Sequence, residues 1–358
     1  MSMDLLYSDV EDELRGSVRG LLAARAPWTA VLERVESDEP YDAKLWRTLA
    51  SEMGLAGLAV PEELGGAGAS FREVAVVLEE LGRAVAPVPF LGSSVMATAA
   101  LLAADDDDLL GELAAGRSAA ALVVPFATPP AGPVPAVQVA GGALTGTVRG
   151  VADALPADVL LVPADDGALY AVAAPDARRT AVTSLDMTRP LCDIVFSSAP
   201  ARPVASSDTA VRSALTVGAA LLASEQLGLA ERCLEITVEY LKTRHQFGRP
   251  VGSFQGLKHR LADLWVAITQ ARAVARYAAG CVAAGDPDAA VAVAIAQAHC
   301  APVAVRAAEE CVQMHGGIGF TWEHPAHLYL KRAKSASIAL GTPDRHRAAL
   351  AGLVDLPA

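Results

Sequence analysis

Two stretches of this sequence combine residue types that grip phosphates and flat rings. The first is RHQFGRPVGSFQ, residues 244–255. Arg244 is a planar fork of N–H donors matched to phosphate oxygens. Phe247 offers a face for stacking, and Gln255 can bond to a base or ribose edge. Gly248 and Gly252 let backbone approach a ligand closely. The second is QMHGGIGFTWEHP, residues 313–325, in which Gln313 precedes the pair Gly316 and Gly317. Glycine after a helical run caps its C-terminus, and it also lets a pyrophosphate or a flat ring lie against backbone N–H groups. Taken singly, each stretch also reads as an ordinary turn between helices. His324 and His327 have the H-x-x-H spacing of a metal pair, but no third ligand falls at a convincing distance, so no metal site is expected.

The elements that position these residues are mostly helical. In FREVAVVLEELGRAV, Phe71, Val74, Val77, Leu78 and Leu81 form one stripe at helical spacing. Pro61 and the glycines at 65, 66 and 68 make a loop before it. Near residue 118 the pattern changes to short valine-rich runs, AALVVPF, LLVPA and LYAVAAP, punctuated by Pro, Gly and Asp; these predict a small β domain. PFATPPAGPVPAV, residues 125–137, reads as a Pro-rich loop. From about 207 the helical period returns. Leu229, Cys233, Ile236, Tyr240 and Leu241 share one face, and Phe254, Leu257, Leu261, Leu264, Trp265 and Ile268 share another. Pro302 falls inside a further long helix and is expected to kink or break it. The expected layout is therefore α+β: a helical domain over 1–117, a β domain over 118–206 and a helical bundle over 207–358.

Composition narrows the function. The 358 residues exceed what one core usually organises. A net charge of −12 argues against a nucleic-acid surface. The 5 cysteines lack framework spacing, as expected for buried thiols in a reducing cytoplasm. No apolar run of about 18 residues is free of charge, so no membrane span is expected, and the acidic start does not read as a signal peptide.

Taken together and in this order, MGLAGLAVPEELGGAG, RHQFGRPVGSFQ and QMHGGIGF resemble the acyl-CoA dehydrogenase family over nearly the whole chain. The resemblance implies an N-terminal helical domain, a middle β domain and a C-terminal four-helix bundle. It implies bound FAD, an acyl-CoA thioester substrate and an electron-transfer flavoprotein or similar acceptor. It further implies flavin contacts from Arg244, Phe247, Gln255, Gln313, Gly316 and Gly317, made largely to the FAD of a neighbouring subunit, with Thr342 and Asp344 also at the cofactor. The oligomer is a homodimer, or a heterotetramer with a second acyl-CoA dehydrogenase subunit.

Three departures from the family pattern stand out. The family's base is a Glu before a Gly-Thr pair; here the pair is Gly341-Thr342 and Leu340 precedes it. Some members carry the base on the first helix of the bundle, and that position falls at Gly218. The middle domain lacks the usual flavin-cradling loop, for which Thr128 and Gly132 are poor replacements, and Asp344 stands where Gln or Glu is common. Glu225, seven residues past Gly218, lies on nearly the same face but roughly 10 Å along the axis. It reads either as a core carboxylate paired with neighbours or as a substitute base. The losses fall on the half that holds flavin in cis, as in the base-lacking subunit of heteromeric actinobacterial acyl-CoA dehydrogenases. The expected function is that of a subunit needing a base-bearing partner. The alternatives are a self-sufficient FAD enzyme, dehydrogenase or reductase, using Glu225, and a non-catalytic assembly protein on the same fold.

Overall fold

The computed structural model describes residues 4–104 and 106–355. Helices α1 (Asp9–Arg25), α2 (Trp28–Val35), α3 (Ala43–Arg47), α4 (Phe71–Ala84), α5 (Thr98–Leu102) and α6 (Asp107–Ala114) form the N-terminal region. Ser8 opens α1 and Ser70 opens α4, each in a capping box closed by Glu11 and Glu73. Along α4 the expected stripe is real: Val74, Val77, Leu78 and Leu81 are buried. A π-helical stretch, Leu91–Ala97, leads into α5 and is buried throughout.

The β region comprises β1 (Ala120–Leu122), β2 (Gln138–Ala140), β3 (Ala143–Ala152), β4 (Val159–Pro163), β5 (Leu169–Ala173), β6 (Ala177–Val182), β7 (Leu191–Pro200) and β8 (Arg202–Ala205). They make two four-stranded sheets, ordered β1-β4-β5-β8 and β2-β3-β7-β6. All pairings are antiparallel except β1 with β4. Inward residues such as Val148, Val151, Leu160, Ile194 and Phe196 fill the core between them.

The C-terminal bundle holds α7 (Thr209–Thr243), α8 (Gln255–Ala284), α9 (Ala289–His315), α10 (Ala326–Ala336) and α11 (Pro343–Leu353), with a two-residue hairpin, β9 (His245–Gln246) and β10 (Arg249–Pro250), between α7 and α8. Helices α4 and α7 cross at two glycines. A Cβ on Gly228 would sit 1.8 Å from Glu79 O, and one on Gly82 would sit 2.1 Å from Glu225 O. Backbone therefore packs on backbone, a crossing no larger residue permits.

Of the kink or break expected at Pro302, the break does not occur: α9 runs on through it. The carbonyl that a proline N–H cannot reach, Ala298 O, instead accepts from Arg347 Nη2 of α11 at 3.3 Å. Trp265 does not join the buried stripe of α8; it is 59% exposed, because the first half of that helix packs on one narrow face through Leu264 and Ile268. By length and apolarity alone, α7 and α9 could cross a membrane, but 89% of the apolar stretch of α7 is buried among its neighbours in this fold.

Candidate functional site

The turn after α10 brings Leu340 and Gly218 together. Leu340 has φ +52°, a left-handed backbone that leucine rarely adopts. Two hydrogen bonds hold it there: its N–H donates to Phe126 O at 2.7 Å, and its carbonyl lies 3.0 Å from His346 Nε2. Thr342 caps α11 through its side chain, with Pro343 in the first turn. The Leu340 side chain is fully buried, and its Cδ1 lies 3.3 Å from where a Cβ on Gly218 would sit. Met96 Cγ is closer still, at 2.8 Å from the same point. A separate small space nearby, bounded by Met96, Val124, Phe126 and Asp153, measures about 10 Å³. That is room for about one water molecule.

Glu225, the candidate substitute base, is a buried carboxylate paired with two arginines. It is 1% exposed and forked onto Arg189, accepting from Nη1 at 3.1 Å and from Nη2, while Arg332 Nε lies 3.2 Å from its Oε1. Asp186 takes the other side of Arg332 at 3.1 Å. Burial works to raise the Glu225 carboxyl, but the charges of Arg189 and Arg332 outweigh it and hold it below the ordinary carboxylate range. A base works best with a pKa near the working pH, and these arginines shift Glu225 the other way. Nearby Asp153 is buried as well, accepting from Tyr41 Oη at 3.0 Å and from Gly92 N–H at 2.9 Å. These charges tie the N-terminal, β and bundle regions to one another.

The polar residues singled out in the sequence gather elsewhere, only in part. Arg244 ends α7, and with Gln313, Gly316 and Gly317 it lines an open pocket of about 580 Å³. Phe247 and Gln255 are absent from its lining. Phe247 is 90% exposed at the tip of the hairpin, 6.1 Å from Phe254 in an edge-on contact, and Gln255 is exposed at the start of α8. Thr342 and Asp344 are also outside it: the first serves as a cap and the second pairs with Arg347 at 2.6 Å. Residues not singled out as binding residues in the sequence also line the pocket, among them Tyr240, Arg260 and His315. Tyr240 lies one helical turn before Arg244 and His315 next to Gly316, so adjacency to the marked residues was the available signal. His324 and His327 lie against aromatic rings, His324 4.0 Å from His315 and His327 4.4 Å from Trp322. A second cavity of about 580 Å³, apolar, opens between the Pro-rich loop at Pro129–Pro133, α9 and α11. Thr128 is buried at the start of that loop, and Gly132 lines the cavity.

A helical domain, a β middle region and a helical bundle with a basic, glycine-edged pocket define a class of flavin-dependent oxidoreductase. Family models for the acyl-CoA dehydrogenase N-terminal and C-terminal domains match residues 8–107 and 209–353. The chain is 42% identical, over 92% of each sequence, to acyl-CoA dehydrogenase IpdE2 of Mycobacterium tuberculosis. It is 34% identical to acyl-CoA dehydrogenase FadE27 of the same organism, over 95% of each. Among solved structures it resembles the ChsE4-ChsE5 complex of Mycobacterium tuberculosis, with a TM-score of 0.88 and 33% identity over 99% of this chain and 100% of that one. This chain belongs to the acyl-CoA dehydrogenase family of FAD-dependent oxidoreductases.

The Arg244 and Arg260 guanidiniums, the Gln313 amide and the Gly316-Gly317 backbone suit a diphosphate, and Tyr240 adds an aromatic ring.

Proposed function

We propose that this chain is one half of a heteromeric acyl-CoA dehydrogenase: it completes the FAD site of a base-bearing partner and carries out no dehydrogenation in its own cavity. The observation that carries this reading is the contrast between the apolar packing of Leu340, Met96 and Gly218, which offers no carboxylate, and the open basic pocket of about 580 Å³ at Arg244 and Gln313. The α-proton of a thioester is too weakly acidic to leave without a carboxylate in hydrogen-bond reach. Leu340 and Gly218 offer none, so the partner supplies it. Bound FAD would supply the hydride-accepting chemistry, with an electron-transfer flavoprotein or similar protein as the acceptor. Arg244 and Gln313 then hold the diphosphate end from this side, and their share of the work is to fix register rather than to move a proton. The similar ChsE4-ChsE5 structure is a complex of two chains, and a second similar structure is the Tcur3481-Tcur3483 steroid acyl-CoA dehydrogenase, with a TM-score of 0.86 and 31% identity; both favour a heteromeric assembly.

The test is purification alone and with a co-expressed base-bearing acyl-CoA dehydrogenase. Alone, the chain is expected to be FAD-poor and inactive; assembled, activity appears and is lost when the partner's base is replaced. A yellow, active homomer overturns the proposal.

A further inference from the structure

A third cavity, of about 400 Å³, lies where the N-terminal helices meet the bundle, and it shares no lining residue with the two large cavities described above. Five elements contribute to it: Arg19 comes from α1, Trp28 from α2, Arg83 from α4, Arg232 from α7 and Tyr329 from α10. Leu22 and Ile236 add apolar wall. The size falls in the range of about 300–1,000 Å³ usual for small-molecule pockets. Its charge runs against that of the chain. The protein carries a net charge of −12, yet three arginines line this space and, among the described residues, Glu80 is the one carboxylate in the lining.

Glu80 is fully engaged. It is 1% exposed, and Arg19 forks onto it, with Nε 2.8 Å from Oε2 and Nη2 2.7 Å from Oε1. Arg15 donates to the same carboxylate at 3.1 Å, and Arg83 Nε lies 3.6 Å from it. Arg83 is in turn forked onto Glu235 at 2.8 and 2.6 Å. Arg232 Nη1 reaches Glu235 only at 3.4 Å, on the oxygen that Arg83 holds at 2.6 Å. The three lining guanidiniums thus share two carboxylates, and Glu80 is divided further with Arg15. Arg232 is left under-compensated, with its side chain 36% exposed. A surplus cation in a half-enclosed space with apolar walls attracts an anion more strongly than one in open solvent. Trp28, half-buried at the start of α2, puts an indole in the same lining. A guanidinium and an indole together suit a flat ring that carries an anionic group.

We infer that this cavity is a second ligand site, for a small organic anion built on a flat ring, of the nucleoside monophosphate class, with Arg232 binding the phosphate and Trp28 the base. The inference does not rest on the reading of the Arg244 pocket as a half-site for FAD. Since helices of the N-terminal region and of the bundle both border the cavity, a bound ligand ties the two together and raises the melting temperature.

The test is isothermal titration calorimetry of the purified chain with AMP, with adenosine and with inorganic phosphate. AMP is expected to bind, and adenosine and phosphate each about tenfold more weakly or worse, because each lacks one of the two contacts. Arg232→Ala and Trp28→Leu are each expected to weaken AMP about tenfold, and Arg232→Lys to regain part of the loss. Arg244→Ala, in the other basic pocket, is expected to leave AMP binding unchanged. Thermal melts without ligand separate misfolding from loss of contact. No binding of AMP by wild type overturns the inference. Binding that is lost with Arg244→Ala and kept with Arg232→Ala belongs to the other pocket and overturns it as well. Phosphate binding as tight as that of AMP removes the ring from the ligand and overturns the assigned class.

Discussion

Leu340 sits in a turn whose backbone is tied at both ends, its N–H to Phe126 O and its carbonyl to His346. Those two bonds stabilise the left-handed conformation without help from the side chain, so the turn survives while its chemistry changes. The side chain then does what a leucine does: it packs against Gly218 and fills the space. Leu340→Glu in the isolated chain is expected to restore no activity. It is expected to lose on the order of 2–5 kcal/mol in urea denaturation, because the new carboxylate finds no partner there. Dehydrogenation by that variant would contradict the reading that this chain has no working site of its own. Glu225 gives the opposite case, a carboxylate already in use. Removing its charge leaves Arg189 and Arg332 under-compensated, so Glu225→Gln is expected to destabilise by about 3–5 kcal/mol. Its folded pKa lies below the unfolded value, so its contribution is present above the ordinary carboxylate range and disappears as pH falls through the folded pKa. Wild-type stability should therefore decline on acidification more steeply than that of Glu225→Gln; equal slopes would remove Glu225 from the account.

At the scale of elements, helix order was legible and helix contacts were not. Ser8 and Ser70 with their Glu partners, the stripe from Val74 to Leu81 and the change to short valine runs near residue 118 are local signals, and each corresponds to an element. The parallel pairing of β1 with β4 and the split into two sheets depend on contacts far apart in sequence. So do the meeting of Leu340 with Gly218 and the charge set of Asp186, Arg189, Glu225 and Arg332. Phe247 and Gln255 were marked by residue type, but the hairpin geometry that turns Phe247 into solvent is not written in a spacing. The crossing of α4 and α7 can be tested alone. Gly228→Ala must push Glu79 backbone away, and about 1–3 kcal/mol or more of stability should be lost. Gly256→Ala, on an open face of α8 with nothing within 4 Å, should be neutral or slightly stabilising. Similar melting points for the two variants would mean that the helices are not in backbone contact.

For the whole molecule, three regions are joined by a buried charge set, and the two sites have different fates. Leu340 and Met96 crowd Gly218, and the basic pocket on the bundle stays open. Under the proposed function, the fold is kept for what it offers a neighbour's FAD. The most direct measurement is the FAD content of the complex with a base-bearing acyl-CoA dehydrogenase, compared between wild type and Arg244→Ala in this chain. The account predicts one FAD for each pair of different subunits, and its loss from the complex when Arg244 is removed here. One FAD on every subunit, or full occupancy with Arg244→Ala, would contradict it.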